Sequence, residues 1–591
     1  MERFLCFMLI SANFLLLCAN VNAKGLHLRH VVSDKTISFT NCTVENLRNL
    51  REYHTEPHNV IINQCHVPEL ANALFLRTPS LISLEITDCH LETLQDYALN
   101  GLNQLQVLNL TRNNISTVKS WSDHDLEAVQ MIDLRRNQLR ELNKNTFRRF
   151  PNLTRLNLAV NFIETMKENT FKFTPHLKYI NLGKNLITHI DEYTFKGLHK
   201  LIHLSLHQNL IRYIDFFALV SNSHLKSLHL QGNQLAVFEA ELVANLPRLV
   251  HLNLSHNHLE FLNEGTFKRN LELKVLDLSH NNFTEFSEAS FTGLESLEVF
   301  NISHNHIPEL SKYIFREFAA VTHLILASNE LTVLEDELLE FMPNVRVLNV
   351  SGNAISAIDS DLFDGLKNLR LLDLSRNRLT NLDFMPSIGV PLRLLDVSEN
   401  FLHSVDLAQF ATVDRVVLEG NPWHCRWLIQ AMMTKPDKVE LGRDYHVTSE
   451  IHRVAGIECV DEEDGQNRSV ILLRAVDKSP EDESGNFNNW HTQNSHSSVH
   501  HGQVGFHRGV FTAKSPSEVD DFDYKAIFLW LTIGIALVFG VTKICRILLI
   551  KSEQRSEEWR RDQHEKYMQE LEELDDKYMQ PQMQEHSMYK P

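Results

Sequence analysis

Apolar residues fall into a single frame over most of the chain. From Leu81 to Leu369 the pattern L-x-x-L-x-L-x-x-N-x-L recurs every 24 residues. It sets asparagines at Asn113, Asn137, Asn161, Asn185, Asn209, Asn233, Asn257, Asn281, Asn305, Asn329, Asn353 and Asn377, with Asn400 and Asn421 following after 23 and 21 residues. A register held this long predicts stacked repeats, not separate globular domains. In each repeat L-x-L reads as a short strand, its leucines inward and the residue between them outward. A later F-x-x-L, such as Phe195 and Leu198 in TFKGL, closes the opposite, convex side. One coil cannot bury its apolar edge alone, so neighbours must stack. About sixteen coils at the strand spacing give an arc on the order of 75 Å. Each asparagine of the series needs a tight turn, with its amide satisfied by backbone of its own and adjacent coils.

Outside this frame the pattern changes. Arg3, the apolar run Phe4–Ala19 and the small-residue site Val21-Asn22-Ala23 predict a signal peptide over 1–23. Residues 461–525 are rich in Ser, His, Asn and acid and predict a disordered stalk. The run AIFLWLTIGIALVFGVT, extended by Ile547–Ile550, predicts a transmembrane helix over 526–550. Acids before it and Lys551 and Arg555 after it orient it as single-pass type I in the plasma membrane, with an extracellular N-terminus. That leaves a short cytoplasmic tail, 551–591.

The formal net charge of −18 argues against a nucleic-acid binder. Motifs for acyl transfer, zinc hydrolysis or phosphate binding are absent, so no enzyme, cofactor or metal is expected. Five cysteines fall outside the signal and membrane segments: Cys42, Cys65, Cys89, Cys425 and Cys459. An odd number leaves one free or paired between chains. Cys42, Cys65 and Cys89 occupy the asparagine position of the first three coils. The frame favours three buried thiols there and leaves open a bridge between neighbouring coils.

Over roughly residues 37–460 the chain resembles the leucine-rich-repeat family. The fold class this implies is α/β: a solenoid with parallel β on the concave face, irregular or short helical segments on the convex face, and a disulfide C-terminal cap, followed here by one transmembrane helix. The repeats span 37–420. GNPWHCRWLIQAMM resembles the opening of the family's cap over 421–460, with Trp427 where a second cysteine is usual. The resemblance implies a single Cys425–Cys459 bridge. LHLRHVV within the capping segment 24–36 is expected to add a short strand over the other end. Signal, solenoid, two-cysteine cap, span and short tail look like the membrane-bound mosquito leucine-rich immune proteins. That implies recognition of, or a co-receptor role for, extracellular proteins or glycans; a leucine-rich adhesion protein is the alternative. Thr532, Ala536 and Gly540 form a small-residue face in the span that would suit a homodimer.

Nine sequons are glycosylation candidates: Asn41, Asn109, Asn114, Asn152, Asn253, Asn282, Asn301, Asn349 and Asn467. Asn109, Asn253, Asn301 and Asn349 sit between the two leucines, so sugars there would crowd both ends of the concave face. Between them lies a window, residues 130–232, with outward Arg135, Arg155, Lys178, Tyr179, Lys184, His203, His207, Lys226 and His229. Such a basic, partly aromatic patch suits an acidic protein or anionic glycan. His256, His280 and His304 each precede a repeat asparagine and should stack along one edge.

Overall fold

The computed structural model describes residues 29–33, 35–48, 57–72, 74–76, 78–118, 121–434, 439–440, 452–454 and 457–460. The expected signal peptide, stalk, membrane span and tail lie outside the described residues, as does Asn467. Among the described residues no helix is long and apolar enough to cross a membrane.

A 19-stranded sheet runs the length of the solenoid. Its first strand, Arg29–Ser33, pairs antiparallel with Thr36–Thr40 at the N-terminal end of the sheet. All later pairings in it are parallel and in register, from Thr36–Thr40 against Asn59–Asn63 to Arg415–Val417 against Val439–Glu440. From Val107–Asn109 to Arg415–Val417 each strand has three residues, the central one buried. The flanking residues face outward, which is the period-two alternation of a strand packed on one face.

The asparagine ladder locks coil to coil. Asn185 Nδ2 donates to the carbonyls of Leu158 (3.0 Å), Leu182 (2.9 Å) and Gly183 (3.2 Å), and its Oδ1 accepts from the Ile163 N–H at 3.0 Å. Asn137, Asn209, Asn281 and Asn377 repeat this set. The residue before each ladder asparagine turns left-handed, with φ of 57° at Arg136, 58° at Val160 and 58° at Lys184. A side chain there is strained, and more so for β-branched Val160. The strain is offset because the turn aims the N–H of that residue at the next coil: Lys184 donates to His207 O at 2.8 Å.

On the convex side Phe147, Phe171 and Phe195 stack as a buried spine with centroids 6.3 and 5.9 Å apart. Turns, two-residue strands and short helices such as Ser360–Phe363 complete it. At the cap, Cys425–Thr434 is an α-helix and Cys425 is bridged to Cys459. Trp427 stacks on buried Trp423 at 4.3 Å and donates its indole N–H to Val405 O at 2.9 Å. The residue replacing the cap's second cysteine thus pins the helix by packing.

At the other end the favoured reading of three buried thiols is corrected. Cys42 and Cys65 form a disulfide across neighbouring coils, their Cα atoms 4.4 Å apart. In-register stacking puts two β-carbons within bridging range with no backbone adjustment. Cys89 remains a buried free thiol, donating to Thr87 O at 3.1 Å; burial pushes its pKa up to about 11 and keeps it unreactive.

Candidate functional site

The window residues occupy one continuous sheet face. Arg155, Tyr179, His203 and Ser227 are register partners across four strands, and Asn157, Asn181, Ser205 and His229 form the column beside them. Lys178 and Lys226 precede the strands; Arg135, His207 and Lys184 follow them in the ladder turns. All nine predicted residues therefore share the concave surface. The five cations are exposed, and Tyr179, His203, His207 and His229 are half-buried.

Their electrostatics are uneven. Asp133 is the sole acid among the outward positions of these coils, and Arg135 Nε lies 3.2 Å from its Oδ2. Burial raises the Asp133 pKa, with Arg135 opposing, so that this cation is largely matched. Arg155, Lys178, Lys184 and Lys226 make no ion pair among the described residues. His207 is not a cation at neutral pH. Burial, then His229 and Lys184, pull its pKa down to about 4. Its Nδ1 is hydrogen-bonded to Ser205 Oγ at 2.7 Å, and its ring lies where a Cβ at Gly183 would collide. Gly183 thus makes room for a neutral, fixed imidazole on the window floor. Tyr179 and His203 lie with ring centroids 6.2 Å apart. Arg136, exposed and in the turn position of Lys184, belongs to the same patch; the repeat register marked its position, but it was not among the predicted residues.

The floor column explains why Asn253 and Asn257, four residues apart, do different jobs. Asn181 Oδ1 accepts the N–H of Gly183 at 2.9 Å, and Asn157 Oδ1 that of Ala159 at 3.2 Å. The sequon asparagines do the same: Asn109 with Thr111, Asn253 with Ser255, Asn301 with Ser303 and Asn349 with Ser351. Each is half-buried with Oδ1 engaged, and Nδ2, the atom that would carry sugar, has no role in this turn. The ladder partner, such as Asn257, is buried. Of the remaining described sequons, Asn41 and Asn282 are exposed and Asn114 is half-buried. Asn152 donates Nδ2 to Glu127 O at 3.0 Å, a bond that a sugar on the same nitrogen would have to accommodate.

The histidine column stacks as expected: His256–His280 centroids are 3.9 Å apart and His280–His304 4.0 Å, with rings near parallel.

The leucine-rich-repeat family model matches residues 79–139, 127–186, 151–211, 175–235, 203–259, 247–307 and 319–379. The fold is a leucine-rich-repeat solenoid. A leucine-rich-repeat protein of Leptospira interrogans superposes with TM-score 0.57 at 24% identity, covering 67% of this chain and 97% of its own. Toll, from the Drosophila Toll–Spatzle complex, gives 0.58 at 21%, covering 72% of this chain and 63% of that one. The repeat domain of mosquito APL1 gives 0.47 at 19%, covering 72% and 98%. At these identities the likeness is one of fold. No curated protein sequence matches the chain.

Proposed function

We propose that this leucine-rich-repeat protein is a single-pass type I membrane protein that binds an acidic extracellular protein in its concave window, serving innate-immune recognition or as a co-receptor. The observation that carries the reading is the set of four cations, Arg155, Lys178, Lys184 and Lys226, without acidic partners above a floor of neutral Asn157, Asn181 and Ser205. Complementary charge at such a surface steers and orients a partner. The parallel strands leave no free sheet edge along the window, so binding falls to outward side chains. A solenoid of this architecture holds a protein partner in the Drosophila Toll–Spatzle structure, which supports a protein ligand by analogy. Signal and membrane segments read from the sequence supply the location.

An anionic glycan is the second ligand for the same cations, and adhesion the second role. Both are separated by expressing the full-length chain on cells and presenting bacteria, soluble immune proteins and non-expressing cells in parallel. Binding of a soluble protein that is lost when Arg155, Lys178 and Lys226 are reversed together supports the proposal. Cell aggregation alone points to adhesion. Binding that survives heparinase but not the triple reversal points to protein over glycan. Binding unchanged by the reversal removes the window from the account.

A further inference from the structure

We propose that the solenoid self-associates through a lateral apolar stripe, with a second copy of this chain as its occupant. Two rim positions follow each ladder asparagine, one directly after it and one three residues later. Along the first, Phe162, Leu186 and Leu210 are exposed in successive coils; along the second, Tyr213, Val237 and Phe261. Exposure runs from 36% at Leu186 to 51% at Tyr213, so these are not partly covered core residues. In later coils the same positions hold Asn282, His306 and Glu330, and Glu285 and Glu309; exposed Val333 and Phe401 recur at these positions but stand apart from the line.

The two rows are continuous. His306 Nδ1 meets Glu330 Oε1 at 3.0 Å, so side chains at the first rim position reach one another between coils. Arg212, the neighbour of Tyr213, donates Nε to Gln234 Oε1 at 2.9 Å, so the chain beside the second row reaches the first row of the next coil. The strand Tyr213–Ile214 pairs in register with His189–Ile190. The rows overlap in the coil that holds both Leu210 and Tyr213. The result is an oblique line across the rim, beside the window but not in it.

Its composition is what selects the occupant. Read along its length, the line runs aromatic, aliphatic, Leu210 with Tyr213, aliphatic, aromatic. Turned end for end it matches itself, Phe162 opposite Phe261 and Leu186 opposite Val237. A two-fold axis through the middle of the line, in which residue i meets j and j meets i, would therefore set apolar side chains against apolar ones along its whole length. An aromatic side chain covers about 150–250 Å² when fully buried, so six half-exposed residues leave on the order of 500 Å² of apolar surface. With a polar border this approaches the roughly 800 Å² per partner of a stable interface. Asn114 and Asn282, both sequons at the first rim position, bracket the line, and no sequon falls at either rim position between them.

The test is disulfide trapping of the full-length chain on cells, read on non-reducing gels. Tyr213→Cys near the axis should yield a covalent dimer. Phe162→Cys and Phe261→Cys carried on differently tagged chains should give a mixed disulfide on co-expression, and Phe162→Cys alone should not. Leu210→Arg places like charges face to face and should weaken self-association at least about tenfold at unchanged surface level. Val333→Arg, at the second rim position of a coil outside the line, should leave it unchanged. No cross-link at Tyr213→Cys, or self-association indifferent to Leu210→Arg, overturns the proposal. Loss with Gly540→Ile but not with Leu210→Arg assigns the dimer to the membrane span instead. Ligand binding in the window is read separately, so either proposal can fail alone.

Discussion

The concave sheet has two halves built on one backbone and charged in different ways. In the early half the residue between the two leucines is Asp133, already matched by Arg135, and then Asn157, Asn181 or Ser205; in the late half it is Asn349 and then Asp373 and Asp396. Asn181 Oδ1 takes the N–H two residues on at 2.9 Å, and Asp373 Oδ1 does so at 3.0 Å. The turn needs an acceptor oxygen and is satisfied by amide or carboxylate alike. Charge at this column is therefore free of the fold. In the late half Asp373 and Asp396 lie in the strands that directly follow Arg370 and Arg393, and Arg376 is forked onto Glu399 with contacts of 3.1, 3.1 and 3.0 Å. In the early half a neutral floor lies beneath Arg155 and Lys178. Two arginine-bearing surfaces of the same solenoid thus differ in whether carboxylates share the floor column with their cations.

The largest effect should be one the halves share. Asn185→Ala and Asn377→Ala each strand several buried backbone groups, and each should destabilise by about 3 kcal/mol in urea unfolding. Unequal losses would mean that the ladder itself distinguishes the halves. The next effect separates them by pH. The folded-state pKa of His207 is depressed, so its stabilisation is present above about 6.5 and is lost as pH falls toward about 4. His207→Gln should flatten the loss of stability over that interval. The folded-state pKa of Asp373 is raised, by burial first, so its stabilisation is present below the ordinary 3.8 and is lost as pH rises through the raised value. Asp373→Asn should therefore stabilise at pH 7 and change little at pH 3, in thermal melts at both. The smallest structural effect should come from giving the early half a late-half floor. Asn157→Asp with Asn181→Asp should shift stability by no more than about 0.5 kcal/mol each, since the turn acceptor is kept. The same pair should weaken binding of polyglutamate several-fold in titration.

The ladder and the sheet face were legible because both follow from period: Asn185 and Leu182 are fixed by the frame, and Arg155 and Tyr179 by alternation about one buried residue. The Cys42–Cys65 bridge was not, because in-register stacking brings Cys42, Cys65 and Cys89 equally into line and leaves the pairing open. The neutral state of His207 was also hidden. It depends on Gly183 one coil earlier leaving room for the ring, a relation between residues 24 apart in sequence. The same holds for the rim line from Phe162 to Phe261: it lies beyond the three-residue strands of the main sheet, where no sustained two-residue period marks which side chains face out.

The most direct test of the central claim compares the two halves for polyanion binding by the full-length chain, with polyglutamate and heparin as probes. Arg155→Glu, Lys178→Glu and Lys226→Glu together should weaken binding at least about tenfold, while Arg370→Glu with Arg393→Glu should change it less than about twofold. Equal losses from the two sets, or full binding by the early-half variant, would contradict the account.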